Sequence, residues 1–171
     1  MGKSEKYLKK LDEILKIKTT EIDLLISDVP KASKRPRKGK YSFYVPDACK
    51  NKKEIQEAIK EQLPDDFIKG ESEVYIDIKC YIKTISGFSK LDKELAEDGH
   101  IRPITKPDVD NYMKTYLDAF NGYLWMDDGQ VVDARLRKYY SENPRVEINI
   151  KFKQGFTSAY IARQQKNRKT K

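Results

Sequence analysis

Hydrophobic residues recur at two different spacings along this 171-residue chain, and each spacing marks a different kind of element. From Ser4 to Ile26, Tyr7, Leu8, Leu11, Ile14 and Leu15 fall at helical intervals between lysines and acids, and Leu24, Leu25 and Ile26 form a second apolar cluster. That pattern predicts one or two amphipathic helices as an N-terminal extension, packed on its own domain or used as a dimer contact. A short strand-like stretch, Tyr41–Val45, precedes a helix over Lys52–Leu63, in which Ile55, Ile59 and Leu63 recur every four residues until Pro64 closes the run. Strict alternation appears in Glu73–Lys83, where Val74, Ile76, Ile78, Cys80 and Ile82 form an apolar face. A long excursion, Ser86–Thr105, carries a short helix over Lys90–Ala96. It leads into a helix over Asp108–Phe120, with Val109, Met113, Tyr116, Leu117 and Phe120 on one face and Asp110, Lys114 and Asp118 on the other. Asn121-Gly122 ends that helix. Two further alternating runs, around Val132–Arg137 and over Arg145–Lys153, read as a hairpin turning at Tyr140–Asn143.

Strands and helices mixed without regular βαβ alternation indicate an α+β fold, a small mixed β-sheet with helices packed on it. The length suits one domain. Its divisions are an N-terminal helical extension and basic linker over 1–40, a core over 41–155, and a basic tail over 156–171 that includes Arg163, Lys166, Arg168, Lys169 and Lys171.

Charge sharpens the picture only where it is clustered. The net charge of +8, from 35 Lys+Arg against 27 Asp+Glu, suits an anionic partner but also serves solubility. Lys31–Lys40, KASKRPRKGK, places six basic residues in ten positions: a solvated linker by default, a DNA-backbone contact if a catalytic motif accompanies it. Two separated cysteines, Cys49 and Cys80, and a single histidine, His100, exclude a zinc site built from soft ligands within one chain. A reduced, cytoplasmic setting follows. No apolar run approaches the roughly 20 residues of a membrane span, and MGKSEKYLKK lacks the centre of a secretion signal.

The chemistry-bearing residues lie between Asp108 and Lys138. Asp108 and Asp110 stand where an extended segment enters a helix, and by default one caps the helix while the other complements its dipole. Lys114, four residues after Asp110 and four before Asp118, by default makes surface ion pairs, and Asp127-Asp128-Gly129 by default makes a turn. Taken together these features are more specific. A return from the helix to Asp128 can bring a third carboxylate beside the first two, and repulsion among them is relieved by a divalent cation. Mg²⁺ prefers such hard oxygen ligands and supports phosphodiester hydrolysis, for which Lys114 offers transition-state stabilisation.

The stretch KPDVDNYMKTYLDAFNGYLWMDDGQVVDARLRK, Lys106–Lys138, resembles the signature of RusA-type Holliday junction resolvases. It carries the PDxDN element (Pro107–Asn111), a lysine four residues beyond its second aspartate (Lys114), the LDAF run (Leu117–Phe120) and the DDxQVV element (Asp127–Val132). The resemblance is clear over about a fifth of the chain and looser from Glu73 to Lys153; the N-terminal region and the excursion before the motif look like additions. It implies a RusA-like core and a magnesium-dependent crossover junction endodeoxyribonuclease, with Mn²⁺ an alternative ion and no organic cofactor. Asp108, Asp110 and Asp128 would hold the metal and Lys114 would assist cleavage. Asp127 would place Asp128 or reach the metal through water, and Asn111 would fix the motif's turn or a carboxylate.

A four-way DNA junction with approximate two-fold symmetry, cut on two strands, suits a C2 homodimer. Arg102, Lys106, Lys138, Lys34, Arg35, Arg37 and Lys38 are the expected DNA contacts, and His100 is a contact of a phosphate or of the metal's water shell, or else an exposed bystander. Such resolvases are common in phage and prophage, which suits a role in recombination and repair. The rival readings are a nuclease for other branched or flapped DNA and a non-catalytic architectural DNA-binding protein. An RNA-binding protein would explain the charge but not the acids.

Overall fold

The strongest alternating run becomes an inner strand of the sheet. In the computed structural model, which describes residues 3–34, 37–38, 43–70 and 72–153, Val74–Lys83 forms a strand with Val74, Ile76, Ile78 and Cys80 fully buried. In chain order the elements are α1 (Lys3–Leu15), β1 (Thr19–Ile26), β2 (Arg37–Lys38), β3 (Phe43–Tyr44), α2 (Ala48–Lys60), β4 (Val74–Lys83), α3 (Lys90–Glu97), α4 (Val109–Phe120), a 3-10 turn (Asp128–Gln130), β5 (Val131–Ser141) and β6 (Arg145–Lys153). A four-stranded sheet in the order β1-β6-β4-β5 carries the helices, and β2 and β3 form a separate two-stranded ribbon. The architecture is α+β with a mixed sheet and an N-terminal helix, as expected.

Two expectations are corrected. The second apolar cluster of the N-terminal region is not helical: Thr19–Ile26 is a strand, paired antiparallel with β6 and burying Ile22, Leu24 and Ile26. The short cluster Leu24-Leu25-Ile26 suits either geometry, and the free edge of β6 decides in favour of the ladder. The helical extension is therefore α1 alone, and the N-terminal 40 residues also supply a sheet strand. Nor do β5 and β6 form a hairpin. β4 lies between them, antiparallel to β6 and parallel to β5. The long connection through α3 and α4 lets the chain return parallel to β4, and the short link from Ser141 to Arg145 passes to the strand on β4's other side.

One sheet face makes the core. Ile148, Ile150 and Phe152 of β6 join the apolar face of β4 under α2, which buries Ile55 and Ile59, and α4, which buries Tyr112, Tyr116, Ala119 and Phe120. Each large side chain so buried contributes roughly 1.5–3 kcal/mol, so α4 is anchored firmly along its length. The opposite face is polar, and holds the Arg137–Asp77 ion pair and stacked Tyr81 and Tyr139 rings 5.2 Å apart. The expected C-terminal tail and Arg35 lie outside the described residues, as do parts of the Tyr41–Val45 stretch.

Candidate functional site

The first turn of α4 presents carboxylates that the fold does not use. Asp108 occupies the N-cap position with an extended backbone (φ −74°, ψ 157°), yet its side chain makes no capping hydrogen bond. Asp110 is exposed and, among the described residues, accepts a long 3.5 Å bond from the Asn111 amide. Lys114, one turn further, is exposed, and among the described residues it forms neither of the surface pairs its spacing allows. Capping by the Asp108 side chain and ion pairing by Lys114 are therefore not taken up among the described residues, while Asp110 in the first turn complements the helix dipole.

The approach to the helix is held by two of the basic residues expected to touch DNA. Lys138 Nζ donates to the carbonyls of Thr105 (2.7 Å) and Pro107 (3.0 Å). Arg102 Nε donates to the Lys138 carbonyl (2.6 Å), and its guanidinium lies 3.7 Å from the centroid of the Tyr139 ring. Both cations thus tie the segment before Asp108 to β5. The basic linker is drawn to the other side of the same helix. Lys31 N donates to the Tyr116 hydroxyl (3.1 Å) and Ser33 N to the Asn111 carbonyl (2.9 Å). Lys31 itself pairs with Glu54 and Asp28, and Lys34 with Asp47, whose carboxyl is held below the ordinary aspartate range chiefly by that bond. Arg37 and Lys38 lie exposed on β2, and Lys106 and His100 are exposed in the loop.

The second acidic element is pinned at the start of the sheet. Gln130, 7% exposed, accepts at Oε1 from the backbone N–H groups of Met126 (2.8 Å) and Asp127 (2.9 Å). Its Nε2 donates to the carbonyls of Gly70 (3.0 Å) and Ser72 (2.9 Å), at the entry to β4. The buried Trp125 donates from Nε1 to Asp128 Oδ1 (3.3 Å). Gln130 and Trp125 are positioning residues that sequence reasoning missed. The signal was present, since a glutamine beside the paired aspartates and a lone tryptophan just before them need buried partners.

These two acidic elements do not meet within one chain. A helix of 12 residues rises about 18 Å, and α4 ends in a tight turn in which Gly122, at φ 74°, donates to the Trp125 carbonyl (2.9 Å). β5 then starts beside Val74 and runs to Lys138, beside Cys80, before it reaches the level of the Pro107 carbonyl. Asp108 and Asp110 therefore sit at one end of α4 and β5, and Asp128 at the other. Among the described residues no group of three or more His, Cys, Asp or Glu side chains is placed to hold a metal ion. The expectation that the return to Asp128 brings a third carboxylate beside the first two is corrected here. Helix and strand antiparallel to one another carry the two motifs to opposite ends, so among the described residues Asp108 and Asp110 stand together without Asp128.

Comparison with known proteins agrees with the motif. The family described as Endodeoxyribonuclease RusA matches residues 28–151. The "Uncharacterized protein YqaN" of Bacillus subtilis (strain 168) is 43% identical over 130 residues, covering 71% of this chain and 89% of that protein.

Proposed function

The chain belongs to the RusA endodeoxyribonuclease family, a nuclease family, and on that premise we propose that it resolves four-way DNA junctions by paired, symmetric phosphodiester hydrolysis as a homodimer. The observation that carries this reading is the start of α4, where Asp108 and Asp110 are exposed and make no side-chain cap, with Lys114 one turn on forming no ion pair among the described residues. Carboxylates so placed can orient a water or a cation at a phosphate, and the lysine ammonium can offset negative charge as it develops on the phosphoryl oxygens. A hard divalent cation, Mg²⁺ or Mn²⁺, suits an all-oxygen donor set and supplies the charge for such hydrolysis.

The basic linker seated along α4 supports a phosphate-contacting role for Lys34, Arg37 and Lys38, beside Lys106 on the loop. Asn111 supports Asp110, and Asp127 shares the Gln130 turn with Asp128. The test is cleavage of a synthetic mobile four-way junction beside matched linear and flapped DNA, with and without Mg²⁺, by the wild type and Asp110→Asn. Paired nicks on the junction alone, lost without the ion and in the variant, are expected. Cutting confined to flaps would replace the substrate. Tight junction binding with no cutting would make the protein an architectural DNA binder.

A further inference from the structure

We propose that the cavity between α2 and α4 receives one unstacked nucleobase of the bound DNA, and that Asp118 selects bases carrying an exocyclic amine. The identity of the ligand rests on the nucleic-acid substrate of the nuclease reading above; occupancy of the cavity does not depend on cutting.

The cavity encloses about 310 Å³, at the small end of ligand-binding clefts. One wall is apolar, built from Val45, Pro46 and Ala48. The wall supplied by α4 is polar: Thr115, Asp118 and Asn121 recur every three residues and so share one side of the helix. Asn51 and Lys52 of α2 complete the lining with further polar groups.

Some of these groups serve the fold. The Thr115 hydroxyl donates to the Asn111 carbonyl (2.9 Å), and Lys52 Nζ donates to the Asn121 carbonyl (3.4 Å). The side chains of Asn51, Asp118 and Asn121 serve no such purpose, for they have no hydrogen-bond or ion-pair partner among the described residues, although both asparagines are half-buried. Polar groups withdrawn from water are costly until something polar meets them. Two amides and a carboxylate across from an apolar wall match a nucleobase, which has a flat stacking face and a hydrogen-bonding edge.

The cavity also lies beside the candidate catalytic residues. Asp110, Lys114 and Asp118 follow one another at intervals of four along α4, so Asp118 stands about 12 Å along the axis from Asp110. That span is a few nucleotide steps of about 3.4 Å each. The basic linker meets α4 at the rim, where Ser33 lines the cavity and its N–H donates to the Asn111 carbonyl (2.9 Å); the exposed Arg37 and Lys38 follow. A strand with a phosphate at Asp110 and its backbone along the linker therefore carries a base past the opening.

Only a base that has left its stack can enter, and the cost of unstacking is least where pairing is already interrupted, as at a branch point. A carboxylate solely accepts hydrogen bonds. Asp118 thus favours the amino group of adenine, cytosine or guanine over thymine, which offers carbonyl oxygens in its place.

Fluorescence and cutting test the two parts. The base 2-aminopurine, which bears an amine and brightens when it leaves the stack, is placed at successive positions of a synthetic junction saturated with protein in the absence of divalent ions. A rise at one position is expected. Cys49 lines the cavity and is exposed, whereas Cys80 is buried, so a bulky maleimide fills the cavity selectively. Labelling should abolish the rise, and Cys49→Ser treated in the same way should keep it. No rise at any position, or a rise that survives labelling, overturns the proposal. With Mg²⁺ present, junctions differing only at that base should be cut at least about tenfold faster with an amine-bearing base than with thymine, and Asp118→Asn should bring the ratio towards one. A ratio near one in the wild type, or one unchanged in Asp118→Asn, overturns the selection by Asp118. If the wild type cuts no DNA at all, the nuclease reading falls, and the fluorescence of the bound junction still decides whether a base occupies the cavity.

Discussion

At the scale of residues, the contrast lies between side chains the fold consumes and those it leaves free. Among the described residues Asp108 makes no capping bond, Asp110 accepts one long bond from Asn111 and Lys114 forms no ion pair, so replacing them should spare stability and cost function: Asp108→Asn or Lys114→Ala is expected to lower junction cutting about 100-fold or more with the unfolding midpoint unchanged. Gln130 is consumed. Gln130→Leu strands two backbone donors and two carbonyls at the acidic turn and should cost at least about 1–3 kcal/mol in denaturant unfolding, with weaker cutting as well. The cysteines divide the same way. Cys49 is exposed, whereas burial pushes the Cys80 thiol from 9.0 up to about 12, so a thiolate reagent should label one cysteine in the native protein and both after unfolding. The raised value has a stability consequence. The unfolded chain releases the thiol proton from about pH 9 and the folded chain only near 12, so stability is full below pH 9 and falls between the two. Tyr112, raised by burial from 10.0 to about 12, acts in the same direction, and Cys80→Ala should flatten the alkaline decline of the denaturant midpoint.

Among the elements, positions come from contacts distant in sequence. α3 is the exception, since Ser89 and Asp92 form a reciprocal capping box that the local sequence provides; Ser89→Ala should cost about 1 kcal/mol of stability. The segment before α4 depends instead on Lys138, 31 residues beyond Pro107. Lys138→Met should loosen that segment and reduce cutting more than junction affinity, with the salt dependence of binding unchanged. A phosphate contact at Lys138 would instead lower the salt slope by about one. Most elements were legible, because the runs at Lys52–Leu63, Glu73–Lys83, Asp108–Phe120 and Arg145–Lys153 are long and keep a single period, although α2 starts earlier, at Ala48, and ends at Lys60 before Pro64 is reached. The cluster at Leu24–Ile26 was not, since a short apolar run fits helix and strand alike until the edge of β6 offers it a ladder.

For the whole molecule, the net charge of +8 and the basic linker predict junction binding that weakens steeply with salt, log K falling linearly with log salt concentration. Neutralising Lys34, Arg37 and Lys38 together should reduce that slope by roughly two to three, measured by titration of labelled junction at several salt concentrations. What the chain's order of residues determined by itself is the α+β class, the extent of most elements, the family and the residue types able to do phosphate chemistry, because periodicity and motif spacing are local properties. Which strands are neighbours, that Lys138 and Arg102 brace the loop, and that Asp128 stands at the far end of α4 from Asp108 were decided only by the tertiary structure. Those outcomes follow from the parallel return of β5 along β4, a choice made by packing and hydrogen bonding between segments far apart in the chain, which no local spacing encodes.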